Sequence, residues 1–388
     1  MKITMYSNFL NHHQLPFCEA MVARLGGGFT FVACEPVPGD RVAMGYADMS
    51  EAYPFVLRAY QGKRQYAQAL QMARESDVVI AGSAPREFMD VRMASGQLTF
   101  RYAERLFKKG TWRRFIPTTR LKVFDGYTKY RRDGLYVLCA SAYTASDLQL
   151  CGFPVEKCLR WGYFPEVPKQ DLDILMHKKD HAVPRILWAG RLVGWKHAEH
   201  AVEVGRRLKA DGYEFQLDIV GAGVGEHDLQ DRIMAAGLGD CVHLLGSMLP
   251  AHVREHMESS NVFLFTSSSQ EGWGAVLNES MSSGCAVVAS HAIGAVPFLI
   301  SQGENGLIYR YGDLDDLYLR TRRLLDDRRA CRNMGSNAYR TLISLWNAPV
   351  AAARFIETAK ALQDGRLPGY KDGPCSPAEV LRNDWFRS

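Results

Sequence analysis

Short apolar runs alternate with stretches of helical periodicity along almost the whole chain. Runs at 2–6, 29–34, 77–81 and 135–140 predict strands in the first half. Runs at 185–189, 215–220, 241–245, 262–266, 286–289 and 306–309 predict strands in the second, with helical spacing at 198–210 and 275–283 between them. Strands that are apolar throughout, separated by helices, belong to parallel sheets covered on both faces. The rhythm lapses once, where Pro165, Pro168 and Pro184 flank a charged stretch at 169–180.

The pattern therefore predicts an α/β chain of two Rossmann-like doubly wound domains. The first spans 1–165, a linker follows at 166–184, the second domain spans 185–360, and a tail at 361–388 packs back toward the first domain. Two such domains leave a deep cleft, with ligands expected beyond the carboxyl ends of the strands. No short-period repeat or low-complexity tract supports a solenoid or a disordered scaffold.

Composition agrees. A chain of 388 residues exceeds what one core ordinarily supports, and two domains of roughly 150 to 200 residues are expected. With 47% hydrophobic and 23% charged residues it reads as a soluble globular protein, and a net charge of +5 is too mild for a dedicated nucleic-acid binder. The nine cysteines are scattered without a C-x-x-C pair, mostly in apolar runs, so they read as reduced core residues rather than metal ligands. After Met1 one short strand passes into polar Ser7 and Asn8, without the apolar stretch of a secretory signal. No window approaches the ~20 apolar residues of a spanning helix. A cytoplasmic protein is expected.

Four loops after strands carry candidate chemistry. In Glu271-Gly272-Trp273-Gly274-Ala275, glycines permit close backbone approach, and the helix that follows offers free N–H groups and a positive dipole end to a diphosphate. Glu271 precedes that helix; Glu279, about a turn inside, can accept from two vicinal hydroxyls such as those of a ribose. In Gly190-Arg191-Leu192-Val193-Gly194-Trp195-Lys196, two cations flank a turn and can grip one diphosphate from two directions. Gly221-Ala222-Gly223 makes space for a nucleotide, in the second strand-turn-helix unit of its domain and without the spacing of a dehydrogenase fingerprint. In the first domain, Asn11, His12 and His13 follow the first strand and would face the cleft.

The run from Glu271 to Met281, with Glu-x7-Glu spacing and Gly284-Cys285-Ala286-Val287-Val288 after it, resembles the donor-site motif of family-4 retaining glycosyltransferases with the GT-B fold. Gly190-Arg191-Leu192 with Lys196 resembles the same family's diphosphate-neutralising element, and the likeness covers about the last 200 residues. The resemblance implies a nucleotide-diphosphate sugar donor, UDP- or GDP-linked. Glu271 would hold the sugar ring, Glu279 the ribose, and Arg191 with Lys196 the leaving diphosphate. Ser247 and Met248 would pack the base, and Gly190, Gly221, Gly223, Gly272, Trp273, Gly274 and Ala275 would line the donor site. Asn11, His12 and His13 resemble the family's acceptor-side loop, although no His between His13 and His177 matches the one many members carry on a later first-domain strand. The acceptor implied is a saccharide or a polyprenyl-diphosphate-linked sugar. No Asp-x-Asp motif stands out at a strand end of the second domain, so no metal or other cofactor is expected. A sugar-nucleotide epimerase or hydrolase and a non-catalytic sugar-nucleotide-binding subunit are the alternatives.

Between Arg101 and Arg132 stand eleven Lys or Arg and two acids. Helical spacing within 100–109 would put Phe100, Ala103, Leu106 and Phe107 on one side and Arg101, Arg105, Lys108 and Lys109 on another, with Trp112 and Phe115 following among Arg113 and Arg114. That composition fits an element lying on anionic lipid, or a solvated basic face over a core stripe. The lipid reading would bring a cytoplasmic protein to the inner face of the membrane.

Overall fold

A computed structural model describes residues 1–39, 49–382 and 384–387. The chain forms two compact units, Met1–Glu166 with Trp346–Leu381, and Val167–Leu345 with Arg382–Ser388.

The first unit holds a seven-stranded sheet of β1 (Ile3–Ser7), β2 (Phe29–Ala33), β3 (Val56–Arg58), β4 (Val78–Ala81), β5 (Thr99–Ala103), β6 (Leu135–Cys139) and β7 (Cys158–Arg160). Their order is β3-β2-β1-β4-β5-β6-β7, and every pairing is parallel. β1 and β4 are buried at every residue, as helices on both faces require. Arg92 is fully buried and pins the turns entering β4 and β5, donating to the carbonyls of Ser76 (2.6 Å), Asp77 (3.0 Å) and Leu98 (2.8 Å).

Three strands escape the apolar pattern. β3 and β7 are three-residue edge strands, too short to stand out. β5 lies inside the stretch read as an amphipathic helix, and that reading of 100–109 is corrected: Thr99–Ala103 is a strand and a loop follows. Pairing on both sides, with β4 and β6, overrides the helical spacing. Arg101 stays in place by donating to the Gly126 carbonyl (3.0 Å) and lying over the Tyr127 ring.

Two boundaries also shift. Residues 171–180 are not linker: Asp171 caps the helix Leu172–His177 through the N–H groups of Asp173 and Ile174 (2.9 and 3.1 Å), and Leu175 and Met176 bury against Tyr339. Lys179 is buried beyond that helix, donating to the carbonyls of Met257 (2.8 Å) and Ser260 (2.7 Å). Residues 346–360, assigned from the pattern to the second domain, belong to the first unit. Their helix, Ala348–Gln363, puts Phe355 against Phe100, Trp161 and Phe17 at ring distances of 4.8, 5.9 and 6.4 Å. Farther on, Cys375, Ser376 and Ala378 exchange backbone hydrogen bonds with Cys158 and Arg160 of β7.

The second unit holds β8 (Arg185–Ala189), β9 (Gln216–Val220), β10 (Val242–Gly246), β11 (Val262–Phe265), β12 (Ala286–Ser290) and β13 (Leu307–Tyr309), in the order β10-β9-β8-β11-β12-β13 and all parallel. The connection reverses direction between β8 and β11, so the loops leaving these two neighbours diverge and open a crevice at their carboxyl ends. All nine cysteines are free thiols.

Phe355→Ala should destabilise the first unit by ~3–5 kcal/mol, the cost of a large-to-small change in a packed aromatic cluster. Limited proteolysis along a urea series checks this. Segments of the first unit should become cleavable at lower urea than segments of 167–345; the reverse order would detach the helix from this unit.

Candidate functional site

The loop leaving β8 is laced to the loop leaving β9. Gly190 donates to the Val220 carbonyl (3.0 Å), Leu192 to Ala222 (3.0 Å) and Gly225 back to Leu192 (3.0 Å). A Cβ on Gly221 would lie 1.8 Å from the Gly190 carbonyl oxygen, and one on Gly223 2.4 Å from that of Leu192. Both glycines, read as space for a nucleotide, are thus already required by the crossing of two backbones.

Beyond Leu192 the chain makes a short 3-10 turn, Gly194–Lys196, and His197 takes a left-handed conformation (φ 54°) before the helix Ala198–Ala210. Thr266, fully buried just past β11, fixes this turn from below. Its hydroxyl donates to the carbonyls of Lys196 (2.7 Å) and His197 (2.9 Å) and accepts the indole N–H of Trp188 (2.9 Å). The His197 ring is held between Glu199 (2.8 Å) and the Tyr311 hydroxyl (2.8 Å).

The Lys196 side chain thereby reaches the loop leaving β11 and pairs with the Glu271 carboxylate, the two side chains being 13% and 11% exposed. Ser267 donates to the same Glu271 oxygen (3.1 Å), and the ammonium also lies 4.8 Å from the Trp195 ring centre. Gly274 is left-handed (φ 91°), where a Cβ would come 2.5 Å from the Phe265 ring and 3.1 Å from Glu271 Cγ. The helix Ala275–Ser282 starts at that point, with no side chain capping its first amides. Inside it, burial pushes the Glu279 carboxyl up from 4.5 to about 7, against the opposing pull of Arg254 and Lys196.

The structure thus brings Lys196 and Glu271 into contact and sets Glu279 within electrostatic reach of Lys196. Arg191 is exposed on the same loop as Lys196, and Ser247 is exposed beyond β10. The Trp273 ring is fully buried and its N–H donates to Asn278 (2.8 Å), so its side chain packs the loop. In the first unit, Asn11 is committed to its own backbone, its Oδ1 accepting from the N–H groups of His13 (3.0 Å) and Gln14 (3.1 Å) ahead of the helix Leu15–Leu25. The His12 and His13 rings lie 3.8 Å apart, and His13 stacks on Tyr163.

Sequence reasoning missed Arg254, Ser267, Thr266 and Trp188. Arg254 had a legible signal, one turn into the helix Pro250–Ser259 after Ser247 and Met248; the other three are recognisable only once β8 and β11 are neighbours. An Asp-x-Asp triplet does follow β13, but Asp313 caps the helix Leu314–Asp326 and Asp315 pairs with Arg207 (2.5 Å). His197, Glu199 and His200 bring potential ligand atoms within 4.8 Å of one another, with His197 engaged at both ring nitrogens.

Residues 171–341 match the family model described as Glycosyl transferases group 1. This region is a group 1 glycosyltransferase domain. The chain is 31% identical over 173 residues to the amylovoran biosynthesis glycosyltransferase AmsK of Erwinia amylovora, covering 43% of this chain and 41% of that protein. It is 28% identical over 204 residues to the putative colanic acid biosynthesis glycosyltransferase WcaL of Salmonella typhimurium, covering 50% of this chain and 48% of that protein. The chain thus spans less than half the length of these curated relatives. Among solved structures, Anabaena Alr3699/HepE in complex with UDP superimposes with a TM-score of 0.68 at 18% identity, over 93% of this chain and all of that one. The lipopolysaccharide outer core galactosyltransferase WaaB gives 0.68 at 14% identity, over 94% of this chain and all of that one. The fold of the glycosyltransferase domain and its companion is GT-B, composed of two Rossmann-like units.

Glu279 generates a pH prediction. Its folded value of about 7 lies above the ordinary 4.5, so the folded chain holds this proton more tightly than the unfolded one. The stabilisation is complete below the unfolded value and is lost as pH rises through the folded one. Compared with Glu279→Gln, which carries no such titration, the wild type should lose melting temperature between about pH 5 and about pH 8. Parallel melting curves would contradict the shift.

Proposed function

We propose that the chain is a retaining glycosyltransferase that moves a hexose-type sugar from a UDP- or GDP-linked donor to a saccharide or polyprenyl-diphosphate-linked acceptor. The observation that carries this reading is the Lys196–Glu271 pair beside an open helix start, where β8 and β11 diverge. An ammonium and a carboxylate withdrawn from water lose solvation, and each needs a strong partner. In the donor-free chain each is the other's partner. A bound diphosphate supplies the ammonium with a better one, and the carboxylate turns to the hydroxyls of the sugar with Ser267 still holding it. Arg191, exposed on the same loop, closes on the diphosphate from the solvent side.

Bond breaking between C1 and the diphosphate oxygen builds negative charge on the leaving group, which Lys196, Arg191 and the amides of Ala275–Ser282 stabilise. The acceptor oxygen bonds to C1 from the face the diphosphate leaves, and its proton passes to the departing phosphate, so the configuration is kept. Glu279 and its neighbour Arg254 lie inside the helix region, where the carboxylate can accept from ribose hydroxyls. Relatives support the reading: AmsK is an amylovoran biosynthesis glycosyltransferase, WcaL is a putative colanic acid biosynthesis glycosyltransferase, and Alr3699/HepE has been crystallised with UDP and with UDP-glucose. A lipid-linked acceptor would place the reaction at the inner face of a membrane; no helix among the described residues is long and apolar enough to cross one.

Lys196→Ala and Arg191→Ala should each lower transfer by roughly a hundredfold, the loss of one preorganised charge-stabilising group. Glu271→Gln should lower kcat strongly, because its sugar contact tightens as charge develops, whereas Glu279→Gln should mainly raise the donor KM. Steady-state transfer with donor varied at fixed acceptor separates them, and interchanged profiles would reverse the donor's proposed orientation. Release of free sugar at the same rate with and without acceptor would assign the site to hydrolysis instead.

Activity should persist in excess EDTA, since two cations and a helix start take the place of a divalent ion. Loss on chelation, with recovery on adding magnesium or manganese, would overturn this assignment.

A further inference from the structure

The basic segment of the first unit keeps a set of large apolar side chains in solvent, on the 3-10 turn Thr111–Phe115 and the helix Pro117–Gly126. Trp112 is 59% exposed, Phe115 72%, Leu121 60% and Phe124 47%. Among the described residues no other Trp or Phe is exposed. Core packing does not require them, because the segment anchors itself through other residues: Phe107, Val123 and Tyr127 are buried.

That anchoring is firm. The carboxylate of Asp147, itself 2% exposed, accepts the N–H groups of Leu106 (2.9 Å) and Phe107 (3.0 Å). Arg105 lies over the Tyr143 ring, and Arg101 holds the Gly126 carbonyl at the far end of the helix (3.0 Å). The apolar side chains therefore stand on a supported platform rather than on a loose loop.

Their surroundings are cationic. Lys109, Arg113, Arg114, Arg120 and Lys122 lie among them, and none has a salt-bridge partner among the described residues. The two acids of the segment are spent elsewhere, Glu104 on Lys108 and Asp125 on Arg86 and Lys129. Arg113 and Arg114 lie over the rings of Trp112 and Phe115. Aromatic side chains with uncompensated cations match the boundary between anionic headgroups and acyl chains, where each finds its solvent.

We propose that the surface formed by Trp112, Phe115, Leu121 and Phe124, ringed by Lys109, Arg113, Arg114, Arg120 and Lys122, docks this protein on an anionic lipid bilayer. Docking is a property of the first unit's surface and does not depend on the transferase reading, so it is tested without activity. The full chain is sedimented with vesicles of phosphatidylcholine, with and without phosphatidylglycerol. Binding should require the anionic lipid and weaken with added salt. Arg120→Ala/Lys122→Ala should lower affinity about 25-fold, at about fivefold for each cation near the surface. Trp112→Ala/Phe115→Ala should lower it at least about tenfold through lost insertion, with the melting temperature unchanged because both side chains are exposed. Brominated acyl chains should quench the fluorescence of the wild type more than that of Trp112→Phe. Equal binding to both vesicle types, or binding unaffected by Trp112→Ala/Phe115→Ala, would overturn the proposal. So would the absence of vesicle binding together with a dimer in lipid-free solution that these substitutions dissolve, which would assign the face to a second copy of the chain.

Discussion

An ammonium and a carboxylate from loops 75 residues apart share a largely dry site at the point where the sheet of the second unit changes direction. Everything in this unit that bears on the site serves that meeting. Taking both charges out of water costs several kcal/mol for each, and removing one partner of such a pair typically costs ~3–5 kcal/mol because the other is stranded. A chain selected only for stability could fill the place with apolar side chains of the same size. Keeping the pair is understandable if a ligand takes it apart, since a diphosphate offers the ammonium two charges and sugar hydroxyls offer the carboxylate several donors. Under the proposed function the pair is a placeholder that keeps both groups aimed before a donor arrives.

Aim has to come from the backbone, because a lysine carries four rotatable bonds. The Thr266 hydroxyl, seated on Trp188 and shared between two carbonyls of the turn, fixes where the Lys196 side chain begins. The interlocked loops after β8 and β9 fix the turn from the other side, and Gly221 and Gly223 are the residues that allow the two backbones to cross so closely. On the opposite wall, Gly274 leaves free the space that a side chain would contest with the Phe265 ring and the Glu271 side chain. Glycines conspicuous in such a loop invite explanation by a ligand, yet here each has a sufficient explanation in the protein itself.

The strands of the second unit were legible to within a residue or so because each is a run of buried apolar residues bounded by turns, and so were Lys196, Glu271 and Glu279 as loop and helix-start residues. What failed to read had physical causes. Thr99–Ala103 carries a pattern compatible with either period, and neighbours on both sides decided for the strand. Residues 346–360 continue the helical rhythm of the second unit without a break, and only Phe17, Phe100 and Trp161, far away in sequence, show which core their helix completes.

The family match falls within 171–341, whereas the structural likeness extends over more than nine-tenths of the chain. Those extents follow if the second unit does what is proposed for it. Holding a diphosphate and a ribose would constrain residue types, charge by charge, and such constraints remain visible in sequence. Building a parallel sheet constrains only which positions are apolar, which many sequences satisfy, so the first unit retains its shape with little trace in its residues. If the proposed transfer holds, acceptor choice resides where the first unit departs from what its sheet needs. The loop after β1 and the basic segment after β5 are such places, because neither the packing of Phe107 and Val123 nor the capping by Asn11 calls for paired histidines or solvent-exposed aromatics.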